Sequence, residues 1–251
     1  ASTTDHVWMY YDNTGASDNA SSTAVWDDYY LVLHLSETGT DARQDSTSNG
    51  YSCTTSGYDS DENVTGKIGD ADEFDETNDY LNCGNVSEIN GARYLTAMAW
   101  IKPTDWSDDV LWAARHAYNY RVGMIMNGTR GVWLSMANAD NAGDSTSDNV
   151  ISDNSWQMVT YVFDGTMGVQ ANRLKFYMNG STEKSTTVSG TISTQTQTYG
   201  KDLLIGLESG GSAYYGGVAD ELRFAETNFS ADYLDAQYDS MSDNFNTFGA
   251  E

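Results

Sequence analysis

The residues best placed to do chemistry in this chain are oxygen donors in unusual settings. Gly216-Gly217-Val218-Ala219-Asp220-Glu221-Leu222-Arg223-Phe224 alternates as a half-buried strand does, and the apolar phase of Val218, Leu222 and Phe224 sets Asp220 on the inward face. An ionised carboxylate taken out of water is costly unless it is paired or metal-bound, and the chain has 12 Lys and Arg against 37 Asp and Glu. Calcium is the expected partner. A second oxygen-rich place is the turn Asp45-Ser46-Thr47-Ser48-Asn49-Gly50. Calcium gathers about six to eight oxygens from carboxylates, amides and carbonyls, which such a turn can wrap around it. The same residues are also ordinary turn chemistry, so the turn points to calcium mainly in company with Asp220.

Acid–base catalysis has a weaker claim. Endoglucanase-type sandwiches carry Glu-x-Asp-x-x-Glu or Glu-x-Asp-x-Glu, and Glu73-Phe74-Asp75-Glu76-Thr77-Asn78 begins that way but has Thr77 or Asn78 where the last Glu belongs. His6, His34 and His116 are isolated, with no nucleophile elbow and no carboxylate at metal spacing, and His34 lies in phase with Val32 as a packing or hydrogen-bonding residue. The pairs Gly210-Gly211 and Gly216-Gly217 lack the context of a phosphate loop. Aromatic rings stack on sugars, and among 7 Trp and 17 Tyr, those in or beside loops are Trp106, Trp112, Tyr118, Tyr120, Tyr214 and Tyr215. These are the candidate carbohydrate contacts, whereas Trp100 and Trp156 read as packing residues.

A formal charge of −25 excludes binding to nucleic-acid phosphates and disfavours anionic membranes. No apolar run is long enough to span a bilayer, so direct membrane insertion is not expected. Cys53 and Cys83, the two cysteines, read as one disulfide formed in an oxidising compartment, the alternative being two free thiols that a mass shift on reduction would distinguish. Asn19, Asn63, Asn85, Asn127, Asn179 and Asn228 open glycosylation sequons, somewhat more than chance supplies. Together these features suit an extracellular or cell-surface protein.

Short alternating runs separated by Gly, Asn, Asp and Ser clusters must position these residues, and that pattern is an all-β sandwich in one main domain. The expected strands are Val7–Tyr11, Tyr29–Leu35, Asp79–Cys83, Tyr94–Lys102, Val110–Ala114, Tyr120–Met126, Gly131–Ala137, Trp156–Phe163, Arg173–Met178, Leu203–Gly206 and Val218–Phe224, eleven being an upper count. Asn179-Gly180 marks a hairpin after Met178. The single helix expected is Ser230–Tyr238, with Ser230 as N-cap and Tyr233, Leu234 and Tyr238 on one face. Asp12–Asp28 and Asn138–Asn154 read as loops.

Several blocks in order resemble the laminin-G-type, concanavalin-A-like lectin domain of prokaryotic secreted and surface proteins. They are Val32-Leu33-His34-Leu35-Ser36-Glu37, the Asp45–Gly50 turn, Gly66-Lys67-Ile68-Gly69 leading to Phe74-Asp75-Glu76-Thr77-Asn78-Asp79-Tyr80, Ala97–Pro103, Trp156–Val159 with Phe163-Asp164-Gly165, Phe176–Gly180 and Gly217–Arg223. The resemblance covers most of the chain and implies a two-sheet antiparallel jelly roll over residues 29–240, often with a structural calcium. Asp45, Asn49 and Asp220 would then be its ligands. Asp75-Glu76 departs from the Asp-Gly usual in this pattern, and the cysteine pair is particular to this chain. Residues 1–28 resemble the end of a preceding β-domain and a linker, and 241–251 an exit into further modules. The function so implied is a non-catalytic, calcium-stabilised lectin-like module that binds glycan or mediates adhesion. The alternatives are a self-associating unit of a surface filament or sheath, and less favourably a polysaccharide hydrolase or lyase.

Overall fold

The structure is a computed structural model and describes residues 22–60, 62–104, 109–117, 120–138, 142–198, 200–207, 210–211 and 213–242. The expected strand Val7–Tyr11 lies outside that set. One sheet comprises β1 (Leu31–Leu33), β3 (Asn63–Thr65), β4 (Asp70–Asp75), β6 (Tyr94–Pro103), β11 (Gln157–Asp164), β12 (Leu174–Met178), β13 (Thr182–Lys184) and β16 (Gly216–Ala225). The other comprises β2 (Thr54–Ser56), β5 (Tyr80–Asn82), β7 (Val110–Ala117), β8 (Tyr120–Met126), β9 (Val132–Asn138), β10 (Gly143–Thr146), β14 (Thr186–Ser189) and β15 (Leu203–Ile205). The α-helices among the described residues are a single turn, α1 (Ser22–Val25), and α2 (Ala231–Met241).

The first sheet runs β13-β12-β11-β6-β16-β4-β3, and the second β14-β10-β9-β8-β7-β15-β5-β2. Every strand pair is antiparallel. Strand β16 is central because its ten residues serve three partners: β6 along one edge, β4 against Gly216–Ala219 and β1 against Leu222–Phe224 on the other. Its full burial follows from that position. The inter-sheet core is aromatic, with Trp112 of β7 meeting Tyr161 of β11 and Phe224 of β16 edge-on at 5.3 and 5.2 Å. Each such fully buried side chain contributes about 2–3 kcal/mol by removal from water.

A second apolar cluster covers the outer face of the first sheet, where Tyr29, Val32, Met98, Val162, Tyr177, Phe229 and Leu234 pack together. Helix α2 starts as its sequence suggests, with the Ser230 hydroxyl accepting from the Tyr233 N–H at 3.2 Å. Tyr233 then stacks on Phe229 and Tyr238 on Trp100. Asn179 and Gly180, at φ 48° and 86°, make the expected hairpin into β13. Cys53 and Cys83 are joined by a disulfide that ties the chain before β2 to the end of β5.

Two features differ from the sequence expectation. Sixteen strands form among the described residues, where ten were expected, because edge strands of three or four residues, such as β2, β3, β13 and β14, are too short for a periodic signal and β4, with four carboxylates in its six residues, lacks a clear apolar phase. The stretch 138–154, expected as a loop, contains β10, and 12–28, also expected as a loop, contains α1. The second difference is in β16. Asp220 pairs with Trp100 and Arg223 with Met98, so Glu221 and Leu222 together oppose Ala99 in a β-bulge, with Glu221 at φ 52°. The bulge reverses the strand's phase. Ala219, Leu222 and Phe224 belong to the inter-sheet core, while Asp220 shares the outer face with Trp100, so its inward placement is corrected.

Candidate functional site

Asp220 remains fully buried on that outer face. Its Oδ2 accepts the N–H groups of Lys67 and Ile68 at 2.8 and 2.9 Å, which closes the tight turn between β3 and β4. Gly66 is required there, since a Cβ would lie 2.7 Å from that oxygen. Oδ1 is buried with no partner. Burial, reinforced by the charge of Glu221 and opposed by the two N–H groups, pushes the carboxyl up to about 7.

Asp45 works in a different neighbourhood. Its Oδ1 accepts from Val32 N and Thr47 N, and its Oδ2 from the Thr47 hydroxyl and Tyr51 N, all at 2.8 to 3.0 Å. The Asn49 amide donates to the Tyr30 carbonyl. A carboxylate has about four acceptor positions, so Asp45 is spent on shaping its turn against β1. Asp220 answers to the Lys67–Ile68 turn and shares no donor with it. As arranged, Asp45, Asn49 and Asp220 do not fit one calcium ion, because only Asp220 keeps a free carboxylate oxygen.

The aromatic candidates also separate. Trp112 and Tyr215 are core residues, 2% and 0% exposed, because both point between the sheets rather than into loops. That corrects their assignment as sugar contacts. Tyr214 is half-buried, Trp106 and Tyr118 lie outside the described residues, and Tyr120 begins β8 with its side chain outside that set. Of the sequon asparagines, Asn85 and Asn228 are exposed, Asn63, Asn127 and Asn179 are partly buried, and Asn19 lies outside the described residues. The amide of Asn228 donates to Asp164 and the Asn179 carbonyl accepts from Met158 N.

A site that the motif search passed over lies where β4 ends. Asp75 closes β4, and its Oδ1 accepts the N–H groups of Thr77 and Asn78 at 2.7 and 3.1 Å, turning the chain at once. The strand therefore does not continue to a third carboxylate, which is why the glycosidase pattern breaks here. The turn instead borders a cavity of about 500 Å³ lined by Gly57, Asp59, Glu62, Glu73, Phe74, Asp75, Glu76, Asn78, Asp79 and Thr104. No Lys, Arg or His is among these lining residues.

Glu62 is 8% exposed, with Oε1 accepting from Asp59 N at 2.7 Å and Oε2 buried without a partner. Asp79 is 2% exposed and accepts from Asp75 N at 2.9 Å. Burial, then the nearby charges of Asp75 and Glu62, push Asp79 up to about 6 against that hydrogen bond. Asp75 shifts the other way, since backbone N–H groups outweigh its slight burial. Only the acid-rich run 73–79 signalled this place in the sequence; Glu62 carried no motif.

The two antiparallel sheets have the architecture of a concanavalin A-like jelly roll. The sequence model of the concanavalin A-like lectin/glucanases superfamily matches residues 75–234, and the chain belongs to that superfamily. Domain 4 of AbnA, a GH43 extracellular arabinanase from Geobacillus stearothermophilus, in complex with arabinotriose, is similar with TM-score 0.52 and 15% identity over 72% of this chain and 80% of that one. The binding domain of Paraclostridial Mosquitocidal Protein 1 has TM-score 0.64 and 13% identity over 86% of this chain and 53% of its own. The botulinum neurotoxin serotype D binding domain has TM-score 0.60 and 15% identity over 88% and 53%. This chain thus spans about half of each toxin domain, and at such identities the likeness is one of fold. No curated protein matches the chain.

Proposed function

We propose that the chain is a non-catalytic carbohydrate-binding module of an extracellular or cell-surface protein. The observation that carries this reading is the cavity at the end of β4, whose volume of about 500 Å³ suits one or two sugar rings. Carboxylate and amide oxygens of Glu73 and Asn78, both exposed at this cavity, offer acceptors to sugar hydroxyls. Superfamily membership and the likeness to a domain in complex with arabinotriose are consistent with it. The non-catalytic reading is argued from the sequence pattern, in which Thr77 or Asn78 stands where the last Glu of the glycosidase motif belongs, and from Asp75, whose carboxylate is taken up by the turn it initiates. The disulfide supports an oxidising location.

A glycan array tests this directly, with neutral, acidic and amino sugars presented to the whole chain. Selective binding to some glycans without release of reducing sugar is the expected result. Silence across the array, or hydrolysis of a bound polysaccharide, would reject the proposal.

A further inference from the structure

We infer that a second cavity, where β11 and β13 begin and β12 ends, receives the carboxylate-bearing ring of an acidic sugar, a hexuronate. The inference rests on the carbohydrate-binding reading and adds to it a site with its own class of sugar.

This cavity of about 400 Å³ has Ser152, Trp156, Asn179, Thr182 and Lys184 in its walls, and no Asp or Glu is among its lining residues. Three observations point to its occupant. The first is Trp156, which belongs to neither apolar cluster and has no aromatic or cationic neighbour among the described residues. It is half-buried, and its indole nitrogen is accessible without a hydrogen-bond partner. An indole face bordering an open cavity is a surface on which a sugar ring stacks. The second is that the polar groups here donate. Asn179 Oδ1 accepts from Met158 N at 3.0 Å, which orients the carboxamide and leaves an accessible Nδ2 to donate. Lys184 shares the face of Thr182 on β13 and has no carboxylate partner among the described residues. The carboxylates on the surrounding segments are engaged elsewhere: Asp153 with Arg130 at 2.6 Å, Glu183 with Lys175 at 3.1 Å on the opposite face, and Asp235 with the Ser181 hydroxyl at 3.1 Å. Salt near 0.15 M confines more distant charges to about 8 Å, so a carboxylate placed here meets the ammonium of Lys184 before it meets the net charge of the chain. The third is preorganisation. Gln157 is 5% exposed; it accepts from Ser152 N at 2.9 Å and donates to the Ser152 and Ser155 carbonyls at 2.7 and 3.1 Å. The loop that leads into Trp156 is therefore set before any ligand arrives, which lowers the entropy lost on binding. A neutral sugar would use the ring face and leave the ammonium without a counter-charge, whereas a hexuronate uses both.

Titration calorimetry on the whole chain, at neutral pH in chelator and near 0.15 M salt, tests this with a galacturonate trisaccharide, its methyl ester, a neutral galactose trisaccharide and a glutamate tripeptide. The acid trisaccharide should bind about tenfold more tightly than its ester or the neutral sugar, as a charge-assisted hydrogen bond implies. Lys184→Gln should remove that preference while the ester binds as before. Trp156→Ala should weaken all three sugars by about tenfold. If the tryptophan variant fails to fold, the lysine variant, altered on a short edge strand, decides alone. Equal binding of acid and ester, or a preference for acid that survives Lys184→Gln, overturns the inference but leaves carbohydrate binding standing. The tripeptide binding as tightly as the acid sugar shows a mere charge trap and also overturns it. So does silence of all three sugars while other glycans bind on the array. Silence here and across the array removes the underlying reading as well.

Discussion

Asp220 has one carboxylate oxygen that closes a turn and one that has nothing to accept from, and its raised pKa follows from that imbalance. A carboxyl group whose folded value exceeds its unfolded value adds stability when protonated. For Asp220 this contribution is complete below about 4 and is lost as pH rises through about 7. Glu221 acts in the opposite direction: despite burial, His34 and Arg223 hold it below its ordinary value, so its contribution is lost on acidification. The two effects are separated by Asp220→Asn, which keeps an acceptor for Lys67 and Ile68 without a charge. In urea unfolding at pH 8 the variant should equal or exceed the native chain. At pH 5 the native chain should regain ground, by at most about 1.4 kcal/mol per pH unit crossed. A variant weaker by several kcal/mol at both pH values would mean that the negative charge itself is required, as a metal ligand's would be.

At the scale of elements, the bulge in β16 decides what its neighbours can do. It turns Glu221 toward His34, 2.7 Å away, and toward Arg223. Arg223 in turn reaches Gln237 of α2 at 2.7 Å and lies over the Trp26 ring. One irregularity thus fastens the chain before β1 and helix α2 to the same sheet. The disulfide does a similar task across the chain between β2 and β5, and its 30-residue separation implies about 3–4 kcal/mol of stabilisation through loop closure. Cys53→Ser with Cys83→Ser should lower stability by that amount in denaturant unfolding, and an unchanged midpoint would show the bridge to be dispensable. The long strands β6, β8, β11 and β12, the Asn179-Gly180 hairpin and the α2 cap were all legible in the sequence, because propensity, alternation and packing agree there. The phase of Asp220 was not, since counting residues in twos assumes no bulge. Nor was the Glu62 cavity, which is assembled by strand pairing between segments that share no motif.

At the scale of the whole molecule, the described residues leave little for a second copy to join. The ends of both sheets, β13 and β3 in one and β14 and β2 in the other, are strands of three or four residues with polar sequences such as Thr182-Glu183-Lys184 and Thr54-Thr55-Ser56. Edges as short as these, one of them carrying Glu183 and Lys184, resist strand addition. The free side of β1 is covered as well, because Asp45 and Ser46 take up the Val32 N–H and carbonyl. Among the described residues the large exposed apolar side chains are Val25, Ile68, Met167 and Val169, too few to form a wide docking patch. A net charge of −25 adds mutual repulsion. Edge protection and repulsion predict the same monomer at low salt but part company when salt is added. Near 1 M salt the screening length falls to about 3 Å and repulsion is lost, whereas the geometry of the edges is unchanged. If the edges govern, sedimentation velocity at high micromolar concentration should give a monomer in both conditions. Filaments or oligomers appearing with salt would show that charge alone keeps the copies apart, and would favour a role in a surface assembly.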